Sequence, residues 1–83
     1  MYHKVRMVNP LSDYSLLVQF ENDEKKQYNV KHLTNELDAF KALIYTPGLF
    51  EQVKVDTGGY GISWNDEIDL ACNELYHNGE NVN

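Results

Sequence analysis

The sequence predicts an α+β domain: an antiparallel sheet of about five strands in βββ-α-ββ-α order, one main helix packed on one face and a short C-terminal helix. Three observations carry this prediction. Apolar residues alternate with a period of two up to Val30, recur with a helical period after Lys31, and return to a period of two beyond Pro47-Gly48.

In the first strand Val5 and Met7 alternate with Lys4, Arg6 and Val8, and the turn-forming Asn9-Pro10-Leu11-Ser12-Asp13 is expected to break it. The second strand, Tyr14 to Glu21, sets Leu16, Val18 and Phe20 on one face against Leu17, Gln19 and Glu21 on the other. Asn22-Asp23 reverses the chain into a third strand, Lys25 to Val30, so residues 3 to 30 read as a meander. Leu33, Leu37, Phe40 and Ile44, with Leu43 beside them, then form one apolar stripe on a helix. Thr34 is its expected N-cap, Glu36 and Asp38 suit its first turn, and Pro47-Gly48 stops it. Val53 and Val55 pair with Tyr60, Ile62 and Trp64 in a second hairpin, with Asp56-Thr57-Gly58-Gly59 as the turn. The closing helix runs from about Ala71 to His77 with Leu75 and Cys72 or Ala71 inward, and it stops near Asn78-Gly79.

With no repeat or linker-like run, residues 1–78 read as a single domain and the polar residues 79–83 as a flexible tail. The 83-residue length allows a thin core, burying about 60 to 65% of the unfolded surface. A 42% hydrophobic and 24% charged composition is that of a globular chain rather than a disordered one. A lone cysteine rules out an internal disulfide and a Cys-rich zinc site. No signal-peptide-like or membrane-length apolar run is present, so a soluble cytoplasmic protein is expected. Thirteen acids against seven bases give a net charge of −6, which argues against direct nucleic-acid binding.

If Val5, Val18, Phe20, Tyr28, Val55 and Ile62 face the helix, then Lys4, Arg6, Leu17, Gln19, Lys25, Gln27 and Lys54 lie on the outer sheet face. Four of the seven cations would gather there. The acids Glu36, Asp38, Glu51, Asp66, Glu67, Asp69 and Glu74 would lie on the helix and loop side. This outer face is either a routine solvated surface or the place where a partner docks.

Residues with catalytic or ligand chemistry are sparse. Asp56-Thr57-Gly58 has the triplet of retroviral-type aspartic proteases, but the 25 residues after Gly58 hold no second apolar-apolar-Gly segment to brace such a loop. A hairpin turn accounts for it. Glu74 and His77 share the Glu-x-x-His spacing of di-iron bundles, yet a single copy supplies too few ligands, and no metal or cofactor is expected. Asn65-Asp66-Glu67-Ile68-Asp69 lacks an EF-hand pattern and reads as a solvated turn. His3 and His32 read as surface histidines, and Cys72 as a small core residue. Gly58-Gly59-Tyr60-Gly61 enters no helix, so it is no phosphate loop, and Trp64 reads as core before ligand platform.

Several segments in order carry a resemblance over nearly the whole chain. They are Val8-Asn9-Pro10-Leu11 with Tyr14-Ser15-Leu16, Phe20 through Glu24, Tyr28-Asn29-Val30, Leu49-Phe50, Val53 through Asp56, and Trp64 through Asp69 to Leu75-Tyr76. They resemble the bacterial family catalogued as domain of unknown function 2442, itself similar to the N-terminal domain of a nitrite-reductase-associated protein. The resemblance implies a small α+β fold, no known enzyme, and for some members a place in a toxin-antitoxin-like pair. Members often carry Gly where this chain has Asp23, a Pro-Asn-Gly-like stretch at Asn65-Asp66-Glu67, and Pro at Cys72.

The functional expectation is therefore a non-enzymatic protein-interaction module, the partner or antitoxin-like member of a two-protein pair. The alternative is a small-ligand domain built around Trp64, Tyr60, Asp56 and Asp69, or a regulatory domain acting with a DNA-binding partner. A thin core and exposed strand edges also favour a homodimer.

Overall fold

The computed structural model describes residues 1–82 and is an α+β fold. Strands β1 (Val5–Pro10), β2 (Ser15–Phe20) and β3 (Lys25–Asn29) form the expected antiparallel meander. Helix α1 (Lys31–Glu36), a 3-10 turn at Asp38–Lys41 and helix α2 (Ala42–Tyr45) follow. Next come β4 (Lys54–Val55), β5 (Gly61–Asn65), β6 (Ile68–Ala71), helix α3 (Cys72–Asn78) and a final strand β7 (Glu80–Val82). The strands divide into two antiparallel sheets, β1-β2-β3-β7 and β4-β5-β6, rather than one sheet of about five.

The first sheet owes its inner face to the period of two in β2, where Leu16, Val18 and Phe20 are wholly buried. β1 departs from its expected alternation. A bulge between Val5 and Met7 inserts one residue, so Val5 stays opposite Phe20 and Val8 comes opposite Val18. Arg6 and Met7 are both left exposed. Pro10 does not break β1 but pairs with Leu16. The next N–H, on Leu11, bonds to the Ser15 carbonyl at 2.8 Å. Strand N–H groups alternate in direction, so the proline nitrogen faces away from β2 at an edge of the sheet.

The stripe predicted as one helix is three short pieces. Thr34 is not the N-cap. It lies inside α1 and is buried, with its Oγ1 donating back to the Lys31 carbonyl at 2.6 Å. The helix begins three residues earlier, where the Asn29 side chain accepts the Lys31 N–H at 2.8 Å. It ends at Leu37, whose φ of −125° and ψ of 118° are extended. The break re-aims the chain so that Phe40 and Leu43 enter the core, while Leu37 and Ile44 stay 48% and 41% exposed.

Two strands were hidden in polar sequence. The Asn65 side chain accepts the N–H groups of Glu67 and Ile68 at 2.9 and 3.0 Å, making a tight turn that releases β6. Acids at 66, 67 and 69 masked the alternation of Ile68 and Leu70, both of which are buried. Residues 80–82, read from sequence as part of a tail, form β7, which pairs with the free edge of β3, Gln27 opposite Glu80 and Lys25 opposite Val82. Gly79 makes the approach possible, since a Cβ there would lie 3.1 Å from the Lys26 Cβ and 2.5 Å from the Leu75 carbonyl oxygen. Asn83, the last residue assigned to that tail, lies outside the described residues.

One core joins the two sheets and the helices. Val5, Leu16, Val18 and Phe20 meet Ile62, Trp64 and Ile68, with Phe40, Leu43, Phe50 and Leu75 filling in. Burying each such side chain contributes about 1.5 to 3 kcal/mol. Trp64 stacks near Phe50 and donates its indole N–H to the Phe50 carbonyl at 2.9 Å, so its one polar atom is satisfied inside. Among the described residues no helix is long and apolar enough to cross a membrane.

Candidate interaction surface

The outer face of the four-stranded sheet is built by strand register. Met7 lies opposite Gln19, Gln19 opposite Lys25, and Lys25 opposite Val82. The next outward row is Asn9, Leu17, Gln27 and Glu80. Of the seven residues expected on one surface, Leu17, Gln19, Lys25 and Gln27 are therefore direct neighbours. The other three lie apart. Arg6 turns to the β2–β3 turn, pairing with Asp23 at 2.7 Å and donating to the Glu21 carbonyl at 2.8 Å. Lys4 sits over the Tyr60 ring, 5.0 Å from its centroid, and Lys54 lies opposite Ser63 in the second sheet. The expected gathering of four cations does not form.

What the register assembles instead is a face low in charge. Its two rows hold one lysine and one glutamate, three side-chain amides, the half-exposed Met7, Leu17 and Val82. Met7, Asn9, Glu80 and Val82 were missed from sequence because a bulge and a polar terminal strand put them there. The partly exposed Leu17 on an otherwise polar strand face was the one legible signal.

The residues of the alternative ligand site do not converge on one pocket: two are engaged inside the fold and two stand at its surface. Trp64 is buried core, and Asp56 accepts the Ser63 hydroxyl at 2.6 Å beside the hairpin turn. Tyr60 packs edge-on against Tyr2, and Asp69 is exposed opposite Ser63. Glu74 and His77 do not work together either. Glu74 accepts from the Tyr28 hydroxyl at 2.8 Å and from the Asn78 amide at 2.9 Å, with His32 Nε2 3.4 Å from the same hydroxyl. His77 instead stands edge-on to His3, which stacks on Tyr76 at 3.5 Å. Burial and the Glu74 carboxylate push the Tyr28 phenol well above its ordinary pKa. No group of three or more His, Cys, Asp or Glu among the described residues is placed to hold a metal ion.

The family model described as protein of unknown function (DUF2442) matches residues 5–81. The chain belongs to this family. The match starts at β1 and runs into β7, so it takes in both sheets and the weakly charged face but for Val82. No curated protein and no solved structure matches the chain.

Proposed function

We propose that this DUF2442 protein is a non-enzymatic protein-interaction module of the bacterial cytoplasm, the acidic member of a two-protein pair. The observation that supports this reading is the outer face of the four-stranded sheet. In a chain with 13 acids and 7 bases, that face holds a single Lys and a single Glu around Met7 and Leu17. Protein interfaces are depleted of charge at their centres and enriched in Met, while charge elsewhere steers the encounter. A net charge of −6 disfavours a second copy and favours a basic protein, which supports a different chain of positive net charge as the partner over the homodimer that exposed strand edges suggest.

The test is recovery of the tagged full chain, expressed at native level in its own host, beside Leu17→Asp/Lys25→Glu and Lys54→Glu forms. A near-stoichiometric basic protein is expected with the wild type and with Lys54→Glu, and its loss with the double variant. Bait alone in all three, or a partner retained by the double variant, overturns the reading. A wild-type dimer in sedimentation that the double variant dissociates would give the face to a second copy instead.

A further inference from the structure

The break at Leu37 leaves apolar side chains of the predicted stripe outside the core, and one of them borders a groove. This groove of about 280 Å3 lies between the β1–β2 connection and the segment after α2. Leu11 and Ile44, 40% and 41% exposed, are its most accessible apolar residues, beside Tyr14 and the buried Leu43 and Phe50. Ser12, Asp13, Thr46 and Glu51 make the lining mixed rather than apolar. Its volume stands at the lower edge of the roughly 300 to 1,000 Å3 of small-molecule sites and suits one or two side chains of a peptide. The carboxylates among its lining residues are Asp13 and Glu51, and no basic residue is among the described residues that line it. Lys31 pairs with Asp13, whereas Glu51 has no ion-pair partner among the described residues.

The wall is held in an unusual backbone conformation. Asp13 and Tyr14 are consecutive non-glycine residues with φ of 60° and 61°, a left-handed pair that costs about 1 to 3 kcal/mol per residue. Asn29 secures them through its side-chain amide on the Asp13 carbonyl at 2.9 Å, and the Val30 N–H through the Tyr14 carbonyl at 3.0 Å. That conformation places the Tyr14 ring edge-on to Phe50, 5.3 Å between centroids, as one side of the groove.

We infer that this groove binds a peptide segment of a second protein, an aliphatic or aromatic side chain seated against Ile44 and Leu11 with a neighbouring Arg or Lys on Glu51. Charge complementarity selects this occupant: the Glu51 carboxylate, unpaired among the described residues and beside the exposed Leu11 and Ile44, on a chain of net −6, favours a segment that joins an apolar side chain to a cation. The site is separate from the sheet face and does not depend on it.

A random-peptide library displayed on phage, selected on the immobilised full chain, tests the inference. Recovered peptides are expected to combine Leu, Ile or Phe with Arg or Lys. They should bind Ile44→Asp and Leu11→Asp at least about tenfold more weakly than the wild type, and the Leu17→Asp form unchanged. Glu51→Lys should weaken them by a similar factor, and more at low salt than at high salt. Both apolar positions are substantially exposed, so circular dichroism and a melt should show Ile44→Asp and Leu11→Asp folded. Peptides lacking the basic residue, binding indifferent to Ile44 and Leu11, or no binder at all would overturn it. Peptides lost on Leu17→Asp alone would assign them to the sheet face and also overturn it. So would a wild-type dimer that Ile44→Asp dissociates, which would make a second copy the occupant.

Discussion

Gly59 stands where the two sheets meet, with φ at +80° and the position of a Cβ only 2.6 Å from the Val5 carbonyl oxygen. Both the conformation and the contact exclude a side chain, so Gly59→Ala is expected to cost about 2 to 4 kcal/mol in urea denaturation. Asp23 offers the contrast. Its φ of 71° is a glycine-like conformation, but its carboxylate gains the Arg6 ion pair. Asp23→Gly exchanges one for the other, and its stability should stay within about 1 kcal/mol of wild type. Tyr28 is the third residue to measure. Its folded pKa is raised, so its contribution to stability is complete below the ordinary phenol range and is lost as pH climbs through the folded value. Of the six tyrosines, Tyr28 should ionise last in an ultraviolet titration, together with alkaline unfolding, and Tyr28→Phe should delete that final step. The partnership of Tyr28 with Glu74 spans 46 residues of sequence, which is why no spacing rule could find it.

Elements were legible where one force dominated. β2 and β3 follow a clean period of two, and the α3 helix was found almost to the residue because Cys72 and Leu75 are buried together on one face. The middle of the chain was not legible, because Leu37 has the apolarity of a core residue but the backbone of a break. The distinction is measurable: Leu37→Gln should cost under about 0.5 kcal/mol, whereas Phe40→Ala should cost about 3 to 5 kcal/mol. A single continuous helix with its stripe buried would make the two costs comparable. The β7 strand was invisible for a different reason. Its stability lies in backbone pairing with β3, which no side chain of Glu80-Asn81-Val82 announces. Deleting residues from Glu80 onward should abolish slow hydrogen exchange along the β7-facing edge of β3 while leaving β5 and β6 protected.

At the scale of the whole molecule, charge and surface are divided. The acids give the protein its long-range field, and the outer sheet face is nearly neutral, which in the proposed pairing would be where a partner lands. The rate of association with a basic partner should therefore fall steeply with added salt while the dissociation rate changes little, a split that stopped-flow measurements resolve. Composition made the field legible from the start. The face was half legible: Leu17, Gln19, Lys25 and Gln27 follow from alternation, but Lys4, Arg6 and Lys54 were drawn to Tyr60, Asp23 and the second sheet by contacts that depend on the assembled fold.

The pairing of β7 with β3 also has a meaning in time. As the chain leaves the ribosome at about 5 to 20 residues per second, the first three strands emerge together, yet the open side of β3 has no partner until residues 80–82 are made. For those seconds the nascent meander shows an unpaired edge, the kind that recruits strands from neighbouring chains. Lys25 and Lys26 lie on that edge, and lysines on an edge strand disfavour its pairing with a neighbouring chain.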